Sequence, residues 1–198
     1  MYSGDGVDRD FSCRARPIGR RRALEMGLGL ALAPQLALAQ TDAARERPKE
    51  GDLLVNVTAA AKPEPLKPDD LPLGGKQIFA WPMDPESKTL RNGSRLNKVL
   101  LLRLDPDGFD AETKDHAVEG VVAYSAVCTH TGCDVINWHP DSELLECPCH
   151  YSNYDPKQGA KVVSGPSPRR LPALPLKIAD GRLVVAKPFT GRAGFQQM

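Results

Sequence analysis

Two short clusters of cysteine and histidine constrain this chain more than any other feature: Cys128-Thr129-His130-Thr131-Gly132-Cys133 and Cys147-Pro148-Cys149-His150-Tyr151-Ser152. Four of the five cysteines and two of the four histidines lie here, while Cys13 stands far to the N-terminal side. An apolar run leads into each cluster, Val121 to Val127 in the first case and Leu144-Leu145-Glu146 in the second, so each reads as a loop delivered by a strand. Thiolates suit zinc, copper and iron–sulfur clusters, and imidazole suits zinc and iron. A set of two cysteines and two histidines can hold one zinc tetrahedrally. Two loops that each give one cysteine and one histidine can also hold a two-iron, two-sulfide cluster, each iron taking two protein ligands. Residue types alone leave both answers open.

The rest of the composition narrows the setting. A chain of 198 residues with 41% hydrophobic and 26% charged residues reads as an ordered protein, by default one compact domain with tails, with two small domains as the alternative. A formal net charge of +1 gives no basic excess for nucleic acid. The 17 glycines and 18 prolines imply many turns and an all-β chain. Five cysteines are too few for a disulfide framework, but enough for one bridge and one metal site.

The N-terminal part reads as an address. Arg20-Arg21-Arg22-Ala23-Leu24-Glu25 precedes an apolar stretch from Met26 to Ala39 that closes on Ala37-Leu38-Ala39, a small-x-small cleavage pattern. This arrangement over residues 1–39 resembles a twin-arginine export signal, which carries folded and often cofactor-loaded proteins. The stretch is about 21 Å long as a helix, short of the roughly 20 apolar residues that a bilayer core needs. Cleavage is therefore expected over a retained anchor. The remaining chain is expected in the periplasm, soluble or peripherally attached to the membrane.

Residues 40–75 are rich in Ala, Pro, Lys, Asp and Glu and read as linker or extended arm around one strand, Leu53 to Val57. Further strands are expected at Gln77 to Trp81 and Lys98 to Leu104, with residues 109–119 as a polar loop. Leu174 to Ile178 and Arg182 to Ala186 flank Asp180-Gly181, the strongest hairpin signal in the chain. Four prolines across 165–175 exclude regular helix or central strand there.

The two clusters together, as C-x-H-x-x-C and C-x-C-H, resemble the ligand motifs of Rieske iron–sulfur proteins. The resemblance spans roughly residues 95–188 and is firmest over 120–170. It implies an all-β Rieske-type fold over 76–190, with antiparallel base sheets, a smaller cluster-binding subdomain at about 121–170 and a tail at 191–198. It implies one [2Fe-2S] cluster per chain. Cys128 and Cys147 would hold the inner iron, and His130 and His150 the outer iron near the surface. Cys133 and Cys149 would form a disulfide joining the loops, in keeping with an oxidising compartment. Ser152 would donate to a bridging sulfide and Tyr154 to the sulfur of Cys128, both raising the potential. Gly165-Pro166-Ser167-Pro168 resembles the proline loop that covers the cluster, with Pro166 and Pro168 as an apolar lid.

By the same resemblance the chain is an electron-transfer subunit without substrate chemistry of its own. Two settings compete. One is a peripheral or free carrier, such as the partner of a molybdenum-type catalytic subunit like arsenite oxidase, which an aromatic at Tyr151 and the lack of a full-length span favour. The other is the iron–sulfur subunit of a quinol–cytochrome c reductase, between cytochrome b and cytochrome c. There His150 would accept a hydrogen bond from quinol, and the proline loop fits this setting. A ring-hydroxylating oxygenase or its ferredoxin normally lacks the extra cysteine pair, and a structural zinc module would carry no electron. Other residues receive plain readings: His116 solvated, His139 in a turn, Trp81 and Trp138 as packing groups, and Arg169, Arg170 and Lys161 as surface charge or docking groups.

Overall fold

The computed structural model describes residues 42–59 and 61–195. The export signal expected over 1–39 lies outside them, as do residues 196–198 of the expected tail. Ten strands are present among the described residues: β1 (Leu53–Asn56), β2 (Ile78–Met83), β3 (Val99–Arg103), β4 (Val121–Ser125), β5 (Asn137–His139), β6 (Leu144–Cys147), β7 (Ser152–Asp155), β8 (Lys161–Ser164), β9 (Leu176–Ala179) and β10 (Arg182–Val185). They make a six-stranded sheet in the order β4-β3-β2-β1-β10-β9 and a four-stranded sheet in the order β5-β6-β7-β8. Every strand pairing is antiparallel. The expected all-β class, with base sheet and smaller subdomain, is the observed one. Among the described residues no helix is long and apolar enough to cross a membrane.

The apolar runs of β3 and β4 have no polar alternation because both faces of the sheet are covered. Leu100, Leu102, Val122 and Tyr124 face one core, which also holds Cys128, Leu145, Cys147, Tyr154 and Leu171. Val99, Leu101, Val121 and Ala123 face a second core with Leu54, Leu174, Leu183 and Val185. The side-chain period of two thus sends alternate residues of one strand into two cores. The first core reaches the loops that carry the cysteines, so their backbones rest on packed side chains. Tyr124 ties the sheets together by donating from its hydroxyl to the Pro156 carbonyl at 2.7 Å.

Three local readings need correction. Residues 109–119 are not all loop, because Ala111–His116 forms a helix, α1, whose first turn is capped by the Asp110 carboxylate accepting from Thr113 N. His116 is accordingly half-buried, and its Nδ1 is buried without a hydrogen-bond partner. His139 lies on β5 rather than in a turn, with Nε2 3.4 Å from Glu146 on the neighbouring strand. The Asp180-Gly181 hairpin forms as expected, with φ of 50° and 70° at the two turn residues.

The segment expected as linker or arm holds β1, which sits inside the six-stranded sheet between β2 and β10. Most of its charges are exposed, but Asp52 is turned inward. Arg91 clasps Asp52 through Nε at 2.6 Å and Nη2 at 2.9 Å, and Glu46 through Nη1 at 2.8 Å. The Arg91 and Asp52 side chains are each 2% exposed. Asn97 Nδ2 donates to the Glu46 carbonyl at 2.6 Å, so the run from Glu46 to Asp52 is held against the domain. A composition rich in Asp, Glu and Pro reads as solvated, and no pattern in the sequence reveals that Asp52 has a buried partner.

Candidate metal centre

The first loop leaves β4 and closes on itself, with Cys128 N donating to the Cys133 carbonyl at 2.8 Å and Gly132 N to the Cys128 carbonyl at 3.2 Å. The second loop is the tight connection between β6 and β7, where Cys147 pairs with Ser152 in register and Tyr151 N donates to the Cys147 carbonyl at 2.9 Å. Tyr151 closes that turn with φ of 56°, a left-handed conformation that costs a non-glycine residue about 1 kcal/mol or more. A third segment, Gly165 to Arg170, lies against both loops. A Cβ on Gly165 would fall 2.5 Å from Ser152 Cα and 2.8 Å from the Tyr151 carbonyl oxygen, so only glycine allows this approach.

The residues singled out in the sequence converge. Cys133 and Cys149 are joined by a disulfide that links the two loops. Cys128 and Cys147 are free and buried, each 1% exposed. The rings of His130 and His150 meet edge to face with centroids 4.5 Å apart, and His150 is exposed. The sulfurs of Cys133, Cys147 and Cys149 all lie within 4.8 Å of one another, but two of them are bonded together and have no thiolate to offer.

The Cys128 sulfur sits in a hydrogen-bonded triangle. Tyr154 Oη is 3.2 Å away, Ser167 Oγ is 3.4 Å away, and the two hydroxyls are 2.6 Å from each other. When the sulfur is a thiolate, two hydroxyl protons serve three contacts, so one hydroxyl donates to sulfur and the other either shares it or supports the first. Ser167 N donates to Ser152 Oγ at 3.2 Å, which leaves the Ser152 proton out of that bond. Burial pushes the Cys128 thiol up, yet the Ser167 and Tyr154 hydroxyls and the His130 N–H bring it below the ordinary value. Burial pushes Cys147 up to about 11, with Cys128 adding to the rise. Burial and the Cys128 sulfur together push Tyr154 up to about 12, so its hydroxyl remains a donor. Two neighbouring buried sulfurs resist ionising together unless a cation stands beside them.

The residues fit a metal group on three counts: two buried thiols without a disulfide partner, two converging imidazoles, and a His130 Nδ1 that is buried with no hydrogen-bond partner. Sequence reasoning missed Ser167. It lies between the two expected lid prolines, and both Pro166 and Pro168 are exposed while Ser167 itself is 8% exposed and reaches the sulfur. A small polar residue between two prolines is the only signal the sequence holds for it. Thr129 was also missed; it is 1% exposed and donates from Oγ1 to the Arg169 carbonyl. Among the other residues, Trp138 donates from Nε1 to the Gly74 carbonyl at 3.3 Å, and Lys161 Nζ donates to the Gln158 side chain.

Two mutational outcomes follow from this geometry. Breaking the bridge with Cys133→Ser and Cys149→Ser opens a loop with sequence separation 16. That is expected to cost about 3 kcal/mol in denaturant unfolding. Tyr154→Phe removes a donor to the sulfur. It is expected to lower the reduction potential of the assembled site by on the order of 50 mV in a redox titration, about a tenfold change for one electron.

Known proteins resemble this chain over the span that holds both loops. The family model described as Rieske [2Fe-2S] domain matches residues 81–175. A cytochrome bc1 complex Rieske iron-sulfur subunit from Streptomyces lividans is 34% identical over 134 residues, 66% of this chain and 76% of that protein. The protein of the same description from Streptomyces coelicolor is likewise 34% identical over 134 residues, but this chain covers only 37% of it. A putative respiratory nitrate reductase subunit Rieske from Haloferax mediterranei is 42% identical over 106 residues, 52% of this chain and 47% of that protein.

Proposed function

This chain belongs to the Rieske [2Fe-2S] iron–sulfur family, and on that premise we propose that it carries single electrons as the iron–sulfur subunit of a quinol–cytochrome c reductase in the periplasm. The observation that carries the reading is the pairing of two buried free thiols, Cys128 and Cys147, with two converging imidazoles, His130 and His150, on disulfide-joined loops. When bound, a [2Fe-2S] group supplies a one-electron reservoir at a potential well above that of an all-cysteine cluster.

The chain's own residues do the rest. Cys128 and Cys147, as thiolates on the packed core, would hold one iron away from solvent. His130 and His150 would hold the other, with His130 bound through its buried, unpartnered Nδ1. The remaining Nε2 of that ring is then the atom that can hold or release a proton. His150, being exposed, would be the ring that a quinol hydroxyl reaches first and whose free nitrogen would take its proton. The Tyr154 and Ser167 hydroxyls stabilise negative charge on the Cys128 sulfur and so favour the reduced state. The disulfide keeps the loops, and with them the two ligand pairs, together.

The relatives described as bc1 subunits support the quinol complex over the peripheral carrier that the sequence alone favoured. The Haloferax relative favours a second reading, in which the same electron port serves a molybdenum-type catalytic subunit. Isolation of the holo-protein from gently solubilised native membranes separates the two. Co-purification of b-type and c-type haem absorption is the expected result, and stoichiometric molybdenum without haem b contradicts it.

A further inference from the structure

Arg169 and Arg170 follow the proline loop, and neither side chain is idle. Arg170 Nη1 pairs with Glu112 Oε2 at 2.7 Å. Arg169 turns its guanidinium toward the far end of the chain, where Nη1 donates to the Arg192 carbonyl at 2.6 Å and Nη2 donates to the Gly194 carbonyl. Its own carbonyl accepts from Thr129 Oγ1 at 2.6 Å, and Thr129 stands between Cys128 and His130. One residue therefore joins the first ligand loop, the proline loop and the C-terminal segment.

The C-terminal segment is itself fitted to the first loop. Ala193 is 2% exposed. Gly194 has φ of +73°, and a Cβ there would fall 2.6 Å from Leu96 Cδ2 and 3.3 Å from Val127 Cγ1, the residue before Cys128. Phe195 lies over Gly132, with its Cβ 3.7 Å from where a Cβ on that glycine would be. The planar fork of an arginine suits two carbonyls at once, and a charged donor makes both bonds stronger than neutral ones.

We propose that residues 191–195 act as a positioning strap, clamped by Arg169, that holds Thr129 and Ser167 in register with the Cys128 sulfur and thereby keeps the site's reduction potential high. The inference rests on the reading of Cys128 as a metal ligand. Ser167 is fixed from one side by Ser152 Oγ and lies two residues from Arg169, with Pro168 between them. Proline limits the motion of that short link, so a displacement of Arg169 passes to Ser167. A longer contact from Ser167 to the sulfur stabilises the reduced state less.

Loss of the Arg169 charge would lower the potential by itself, so the test keeps the charge. Arg169→Lys retains it but gives up the fork, and Gly194→Ala strains the strap at its left-handed φ of +73° and crowds Leu96 and Val127 while leaving Arg169 in place. Both are expected to lower the midpoint potential of the holo-protein at least threefold in the reduction equilibrium, about 28 mV at 59 mV per decade. Both are also expected to speed amide hydrogen exchange at Thr129 and His130. Arg170→Lys, which likewise keeps the charge but alters the neighbouring surface pair with Glu112, is expected to change neither. If both strap variants keep the wild-type potential and exchange rates, the strap is overturned. If Gly194→Ala fails to fold, Arg169→Lys alone decides. A wild-type protein whose spectrum lacks two unlike iron sites instead removes the ligand reading, and the strap with it.

Discussion

The double substitution His130→Cys, His150→Cys is expected to leave a folded protein whose reduction potential falls by several hundred millivolts. The host loops tolerate the change because His150 is exposed and the Cys133–Cys149 disulfide keeps the loops together without either ring. Histidine ligation places such clusters at roughly −150 to +300 mV, while four thiolates give about −400 mV. The cause is charge: two neutral imidazoles become two anionic sulfurs, and the reduced state carries the extra repulsion. The double substitution to alanine removes two of the four proposed ligands and is expected to give protein without bound iron or visible absorption. Iron retention and an unchanged potential in both variants would show that these histidines are not ligands.

The substitution Arg91→Met is expected to be the most damaging single change remote from the candidate ligands. It leaves the Asp52 carboxylate, 2% exposed, without its bidentate partner. Removing one member of a buried ion pair costs about 3 to 5 kcal/mol. For a domain of this size that is a fall in Tm on the order of 10 °C. Arg91→Lys keeps the charge but loses the fork, and is expected to fall between wild type and Arg91→Met. Adding Asp52→Leu to Arg91→Met removes the stranded carboxylate and is expected to recover part of the loss. Because Arg91 bonds to Asp52, Glu46 and Asp84, the spectrum of any holo-protein that remains is expected to be unchanged. A melting temperature within a degree of wild type would mean that the Glu46 to Asp52 segment is not held by this pair.

What the sequence made legible is set by local chemistry. The ligand motifs could be read because C-x-H-x-x-C and C-x-C-H restrict residue type at short spacing, and the structure brings His130 to His150 and Cys133 to Cys149. The strands β1, β3, β4 and β10 were legible because their apolar runs are long enough to stand out. The strands β5, β7 and β8 were not: Asn137-Trp138-His139, Ser152-Asn153-Tyr154-Asp155 and Lys161-Val162-Val163-Ser164 are short and partly polar, and they gain their place from cross-strand pairing. Ser167, Thr129 and Arg169 were misread or missed for a related reason. Each acts through a partner at least 13 residues away, such as Tyr154 for Ser167 and Gly194 for Arg169. A single sequence holds no local mark of such a pairing.

Unlike ligands around a pair of irons are the central expectation for this chain. Metal and sulfide analysis of the purified protein, joined to electron paramagnetic resonance of its reduced form, tests this most directly. The expected result is two irons and two acid-labile sulfides per chain, with a spectrum in which nitrogen from two imidazoles couples to the reduced iron. A single zinc per chain, or an iron cluster with no nitrogen coupling, would contradict it.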